Sequence, residues 1–479
     1  MKNKPRIRVL IPSAAPDLDS IFPNNRWADD ARALFYYMNR EKRIMEQNRD
    51  YNGGISRESG YVSVNATELK VGKNKKGERI GLGLSNRYNI IRDELVALGS
   101  IEIYTKENGV RPYTPGLYPR LWRPLFKDPN LTGGRMYRQE FITNPRTIAN
   151  MRDFYNRKYK DQRKEFLAQN EWYKPNLEWA ERMYLDEAAI TYAESQSPKK
   201  AEQLLGSISM FNSGTGRFIS RCEFAGRIHS FITRLEKELR PFLRVEDEKD
   251  LLIMRDVSSA QPFLIGSLLN HASLISIIPE FAPVLDKIQK RQSEPATRLF
   301  LEDCINGNLY KRLADASGLS EKKVKNQIFQ HILFSSASNQ HKKRKVKKER
   351  MKFRALFSSF YRPIYDSITD LKRTRSSTLQ FVMEITAKGG QGKMYSGIAM
   401  ICQRLEARIF IDLITQRLNK AGVITIGIHD AWVLKRKDET FDLVFYQVFE
   451  ELGIRPPKLS KEVLESATDN IEPESSTEK

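Results

Sequence analysis

An α+β fold built on a small antiparallel sheet is expected for this 479-residue chain, and three stretches predict it. The first is Val423 to Leu434, VITIGIHDAWVL, in which β-branched and aromatic residues flank His429-Asp430 and read as two short strands folded around a tight corner. The second, LLIMRDVSSAQPFLIGSLL (251 to 269), reads as a buried strand ending at Asp256, a short turn, and a helix opening at Pro262, with Ser258 or Ser259 as its cap. The third lies between them: EKKVKNQIFQHILFSSA reads as a helix with Ser320 at its cap. Helical spacing puts Lys322, Lys325, Phe329 and Ile332 on one face of it.

Size and composition agree with a folded, multi-domain protein, since 40% of residues are hydrophobic and complexity stays high over most of the length. Lys and Arg number 80 against 59 acids, a net charge of +21. In a folded chain such an excess points to a polyanion, nucleic acid first, with a merely basic solvated surface as the plain alternative. Cys222, Cys304 and Cys402 are too far apart in sequence for a zinc or disulfide framework, and the five histidines form no HExxH-like cluster. No run of about 18 apolar residues is present and the first residues do not read as a signal peptide, so a cytoplasmic protein without membrane association is expected.

Taken in order, residues 1–146 read as a mixed α/β domain without a catalytic signature. Trp27 to Met45 looks helical with Asn24 or Asn25 as cap. From Tyr61, a strand, the basic loop KVGKNKKGER, a helix and the strand IEIYT follow in an order that would suit a winged-helix module. Residues 147–210 are charged and helical. Phe154, Tyr155, Tyr159, Phe166, Trp172, Tyr173, Trp179 and Tyr184 are interleaved there with basic residues, which suits either a grip on a nucleic-acid backbone or the buried side of a helical pair. The informative signals fall in 211–456. After Pro457 the acidic, Ser/Thr-rich tail (457–479) is expected to be disordered.

An ionised Asp430 flanked by apolar sequence is costly to bury unpaired, so it is expected at the mouth of a cleft facing a cation. His-Asp is also an ordinary turn pair, and Asp256 could equally pair with Arg255. Taken together, however, two aspartates at the ends of neighbouring antiparallel strands can hold two divalent ions roughly 3.5–4 Å apart, the spacing used in phosphoryl transfer. Mg²⁺ suits such a sparse oxygen set because waters and substrate phosphates complete its shell; Mn²⁺ is an alternative. Lys325, one helical turn before Phe329, could hold a triphosphate while the ring packs on the base or sugar; a solvated lysine row beside a core Phe is the plainer reading of these residues alone.

Gly226-Arg227-Ile228-His229-Ser230, the Asp256 strand-turn-helix, the Lys325/Phe329 helix and Ile428-His429-Asp430 occur in the order and rough spacing of the family A polymerases, which the segment from about Cys222 to Leu434 resembles. That family includes bacterial repair and phage DNA polymerases and, more distantly, single-subunit RNA polymerases. The resemblance implies a right-hand polymerase fold: a thumb-like region at 147–210, and a palm with an antiparallel sheet and helical fingers at 211–456. It implies Asp256 and Asp430 as catalytic metal ligands, Lys325 and Phe329 on the nucleotide, and Arg227 and His429 near the primer-template. Gln403 and Glu406, which share a face with Phe410 on a long helix from Gly397 to Asn419, are expected on the nucleic-acid side as well.

Departures from the family pattern are informative. Gln261 stands where DNA-synthesising members usually carry a glutamate, which leaves discrimination against ribose open. Ala431 replaces the acid after the second aspartate, and Glu321 replaces a basic residue, with Lys322 or Lys323 as substitutes. The Gly and Tyr that usually follow the aromatic are missing, and Phe334 is the nearest ring. The run HKKRKVKKER (341 to 350) carries seven Lys and Arg, which could contact phosphates or form a solvated loop. AKGGQGKMYS lacks P-loop spacing, and Gly389 to Gly392 read as a turn. No strand-borne Asp-x-Glu for a proofreading exonuclease is apparent. The expectation is therefore a compact, Mg²⁺-dependent DNA polymerase acting on a DNA primer-template and nucleoside triphosphates. An RNA-synthesising or priming enzyme, or a non-catalytic DNA-binding replication protein, is the alternative. A phage or mobile-element origin would suit so compact an enzyme, by analogy alone.

Overall fold

The computed structural model describes residues 7–47 except 13–14, short pieces at 62–64, 69, 72–73, 79–80, 82 and 84, then 88–103, 120–124, and 137–465 except 247, 249, 286–293, 336–343, 374–396 and 436–438. Among the described residues no helix is long and apolar enough to cross a membrane.

The N-terminal region is organised by the strand Ile7–Pro12, which pairs antiparallel with Tyr137–Ile142. Ile7, Val9 and Ile11 alternate into a core against the helix Asn25–Gln47. Asn24, one of the two expected caps, accepts the Arg26 backbone N–H at 3.0 Å. Asp29 then ties the helix to the far end of the domain: its carboxylate accepts the backbone N–H groups of Thr143 (2.8 Å) and Asn144 (2.6 Å) and pairs with Arg32. A second sheet orders Val62–Val64, Arg120–Pro124 and Ile101–Ile103, with the helix Tyr88–Ala97 leading into Ile101–Ile103. Residues 74–78 of the basic loop lie outside the described residues.

The helical region begins at Pro145, two residues earlier than expected, because Asn144 caps the Arg146 and Thr147 N–H groups and proline suits the first turn. Its aromatic stripe is packing. Tyr155, Phe166, Tyr173 and Trp179 are buried, Phe154, Tyr159 and Trp172 are half-buried, and Tyr184 is exposed. The buried-face alternative holds for these rings except Tyr184.

The centre is a four-stranded antiparallel sheet in the order Ile426–Ile428, Ala431–Lys435, Leu252–Val257, Leu459–Val463. It separates two cores. Leu252, Met254, Ile426, Ile428, Ala431 and Val433 point to the side of the 166–245 region, while Ile253, Val257, Trp432 and Leu434 point to the helices of 260–454. The period of two in these short strands assigns each residue its side. Trp432 is enclosed by Phe410, Phe441 and Phe445, and its indole N–H donates to Thr415 at 3.0 Å.

The fourth strand corrects an expectation. The chain from Pro457 was read as a disordered tail, yet Leu459–Val463 pairs along Ile253–Val257 and Leu464 is fully buried. Averaged over 457–479, acidic composition hid a short segment whose apolar residues needed only a free sheet edge to order them; residues 466–479 lie outside the described residues.

Helices cover the second face: Ala260–Asn270, Pro295–Ile305, Leu309–Ser317, Glu321–Gln327 and Arg344–Arg373. The last is kinked at Tyr361 (φ −132°), where Pro363 interrupts the backbone ladder. It opens inside the basic run, whose Lys347 and Lys348 are exposed on a helix instead of a loop. Gly389 to Gly392 lie outside the described residues.

Candidate active site

Two elements bring the aspartates together. In the hairpin, His429 adopts φ +60°, so the chain reverses within two residues and Asp430 stands immediately before the strand Ala431–Lys435. That strand pairs with Leu252–Val257 so that Asp256 faces Ala431, and the Val257 N–H donates to the Asp430 carbonyl at 3.1 Å. The two carboxylate-bearing residues are thus cross-strand neighbours, one register step apart. The strand runs one residue beyond Asp256, as far as Val257. Arg255, the plain structural partner weighed for Asp256, points to the opposite face and pairs with Asp442.

The turn after Asp256 departs from expectation. Ser259 sits in the left-handed region at φ 54° and occupies the cap position without a side-chain hydrogen bond; the helix opens at Ala260, with Pro262 in its first turn. Ser320 likewise holds the cap position of its helix without capping through its side chain. Serine at a cap position satisfies an N–H only if its χ1 and the backbone bring the oxygen round, which composition alone does not report.

Electrostatics show which groups share the space. The Asp256 carboxyl is pushed up from 3.8 to about 6, first by burial and then by the Asp430 carboxylate; Lys325 and Lys237 oppose the shift and Glu462 adds to it. Arg240, on the turn Lys237–Phe242, is held below its ordinary value by burial against the pull of Asp256, Asp430 and Glu462. Arg240, Lys237 and Glu462 were not singled out from sequence; ELRPFLR carries no pattern that distinguishes a site arginine from a surface one. Tyr310 lines the same space. Its hydroxyl is held protonated by burial, with Asp430 and Asp256 acting in the same sense, and the Lys325 ammonium stands 5.9 Å from its ring centroid.

The Lys325 helix is as read in its exposed face: Lys322 and Lys325 are exposed, Phe329 is half-buried and Ile332 buried. It widens into a π-helical turn at Ile328–Leu333, and Phe329 meets Phe334 at 5.4 Å between centroids. Two cations satisfy the carbonyls at its end: Arg354 donates to His331 O at 3.0 Å and Lys372 to Ile332 O. Burial, with Arg354 nearby, lowers Lys372 to about 7.

Glu406 is the clear correction among the residues expected to face nucleic acid. It is 1% exposed, its carboxylate pairs with Arg227 at 2.6 Å, and the Gln261 side-chain amide donates to it at 3.4 Å. It holds Arg227 and Gln261 and is enclosed by them, while Gln403 on the same helix is half-buried. The long helix is present, but Ala407–Thr415 is π-helical between α-helical ends. Gln261 now has a physical reason: a glutamate there would set two buried carboxylates within hydrogen-bonding distance of each other. His429 is kept toward its neutral form by partial burial and by the Arg227 guanidinium.

Among the described residues no group of three or more His, Cys, Asp or Glu side chains is arranged to hold a metal. The donor set at the strand ends is two carboxylates, which fits a hard cation that keeps waters and substrate oxygens, and whose charge would relieve the repulsion between Asp256 and Asp430.

No protein-family model matches the chain, and no curated protein does. Among solved structures it is similar to the POL domain of Pol1 from M. smegmatis in complex with DNA primer-template and dNTP, with a TM-score of 0.34 and 12% identity. That match covers 58% of this chain and 55% of the other, so the chain spans little more than half of the structure it resembles.

Proposed function

We propose that the chain is a template-directed nucleotidyltransferase, a compact DNA polymerase that extends a primer with deoxynucleotides. One observation carries this reading: Asp256 and Asp430 lie side by side at the ends of two antiparallel strands, in electrostatic reach of Lys325 on a separate helix. In a surface turn pair neither acid would be half-buried against the other.

Asp256 and Asp430 would hold two Mg²⁺ ions, which when bound neutralise charge on the attacking and leaving oxygens. Lys325 and Lys322 provide the ammonium groups that orient the triphosphate, and Phe329 with Phe334 offers an apolar wall for the base or sugar. Arg227, fixed by Glu406, and His429 at the hairpin tip border the side where a primer-template would lie, with Gln403 beyond them. The primer 3′-hydroxyl gives its proton to water as its oxygen bonds to the α-phosphorus, and the bond from that phosphorus to the bridging oxygen of the β-phosphate breaks, so that pyrophosphate leaves on the opposite side. Most of the rate comes from this positioning in a charged, partly dry site.

The test is primer extension with purified protein. Asp256→Ala and Asp430→Ala are each expected to abolish incorporation while DNA binding by anisotropy and the thermal melt persist; full activity in either variant removes the mechanism. A second reading, an RNA-synthesising or priming enzyme on the same scaffold, is favoured by Gln261, whose amide is turned to Glu406 and which offers no carboxylate to a sugar. Deoxynucleotides against ribonucleotides, on primed and unprimed templates, separate the two. Absence of incorporation with either sugar under Mg²⁺ and Mn²⁺ would leave a DNA-binding replication protein.

A further inference from the structure

The basic residues of the Pro145–Gln169 helix remain to be accounted for once its aromatic rings are seen to pack inward. Arg152, Asn156, Tyr159, Lys160 and Arg163 recur at helical spacing and line a cleft of about 510 Å³. The strand Met183–Leu185 and the turn around Gly214 and Arg217 close its other sides, and its volume falls within the roughly 300–1,000 Å³ usual for small-ligand sites. Asn156 pins the turn to the helix, donating to Gly214 O at 3.1 Å and accepting the Arg217 N–H at 3.1 Å.

The charges in this cleft do not balance. Five cations, Arg152, Arg157, Lys160, Arg163 and Arg217, meet three carboxylates. Asp153 is taken by Arg157 at 2.6 Å and Glu181 by Arg163, which leaves Glu246 for the rest. Arg152 and Lys160 have no carboxylate partner among the described residues. Arg217 donates to the backbone carbonyls of Glu181 and Met183, and its buried Nε has no hydrogen-bond partner. A Cβ on Gly214, which adopts φ +68°, would stand 3.5 Å from Arg217 Nε and 3.7 Å from Arg152 Nε, so two guanidinium groups converge on one bare stretch of backbone. Arg217 is correspondingly lowered to about 10, by burial first and with Arg152 and Arg163 adding to the effect against the pull of Glu181. Like charges held this close are stable when an anion completes them.

We propose that this cleft is a second anion site, formed by residues other than Asp256, Asp430 and Lys325, that takes the phosphate groups of a nucleotide ligand, either a free triphosphate or a nucleic-acid strand. The site does not depend on the polymerase reading. Its test is calorimetric titration of the full chain, without divalent ions, with inorganic triphosphate in one arm and a short single strand in the other. The proteins compared are the wild type, Arg152→Ala/Lys160→Ala and Lys325→Ala. Both residues of the double variant are exposed, so its melt is expected to be unchanged. Loss of two charge-assisted contacts is expected to weaken binding about tenfold or more. If the weakening is in the triphosphate arm, the ligand is a free nucleotide. If it is in the strand arm, with the salt slope reduced by about one per side chain, the ligand is a nucleic-acid backbone. Unchanged binding of both probes by the double variant, or loss in Lys325→Ala alone, overturns the proposal.

Discussion

Replacing Asp256 by asparagine should destroy incorporation and at the same time stabilise the fold at neutral pH. The carboxyl is raised from 3.8 to about 6 by burial and by Asp430. A group whose folded value is raised binds its proton more tightly in the native state. Stability is therefore undiminished below the unfolded value, declines as pH rises from about 4 to about 6, and stays reduced above that. At ~1.4 kcal/mol per pH unit, a shift from 3.8 to about 6 corresponds to ~3 kcal/mol at most, and partial solvent exposure of the carboxyl reduces this to ~1–2 kcal/mol. Asp256→Asn keeps the shape and removes the charge. Urea unfolding of both proteins in chelator at several values between pH 4 and pH 8 is the measurement. The variant should gain ~1–2 kcal/mol at pH 7–8 and nothing near pH 4. Millimolar Mg²⁺ should then raise the midpoint of the wild type and leave that of the variant much less affected, because an ion that binds the native state stabilises it by mass action. A variant no more stable than wild type at pH 8, or one with a pH-independent gain, would refute the account of the paired carboxylates.

Other outcomes follow from the same geometry. Arg227→Met or Glu406→Leu alone strands a buried charge and should cost ~3–5 kcal/mol, while the double substitution should recover much of that loss in urea unfolding. Gln261→Glu places a second carboxylate beside Glu406; a stability loss of ~1–3 kcal/mol at pH 8 that shrinks at acid pH is expected, and a neutral result would sever the Gln261–Glu406 link. Truncation after Pro457 removes an edge strand and the buried Leu464, whose side chain alone is worth ~2 kcal/mol, and should lower the melting temperature and impair incorporation. Burial lowers Lys372 to about 7, so the folded state binds its proton less tightly than the unfolded chain and the stability Lys372 contributes rises as pH climbs above about 7; Lys372→Met should therefore be less favourable to the melt at pH 8.5 than at pH 6, read by paired thermal scans against wild type at each pH.

Local chemistry makes part of this protein legible in its sequence. The hairpin at His429-Asp430, the strand carrying Asp256 and the helix exposing Lys322 and Lys325 were readable because period, β-branching and turn chemistry act over a few residues. The aromatic stripe of 147–210 was readable as helix, but which side of it was wet was not. Ser259 and Ser320 stood where caps belong and their side chains do not cap. The strand Leu459–Val463 was missed because its order comes from hydrogen bonds to Ile253–Val257, some two hundred residues earlier.

What sequence alone determined was the set of elements and the two acids at their ends, since backbone preference and hydrophobic period are properties of neighbouring residues. What only the tertiary structure decided was which charges meet. Glu406 is spent on Arg227 and Gln261, Arg240 and Tyr310 border the aspartates, and Arg152 and Arg217 crowd beside Gly214. Coulomb interactions and desolvation depend on distance and burial in space, and sheet register sets both between residues that the chain itself keeps far apart.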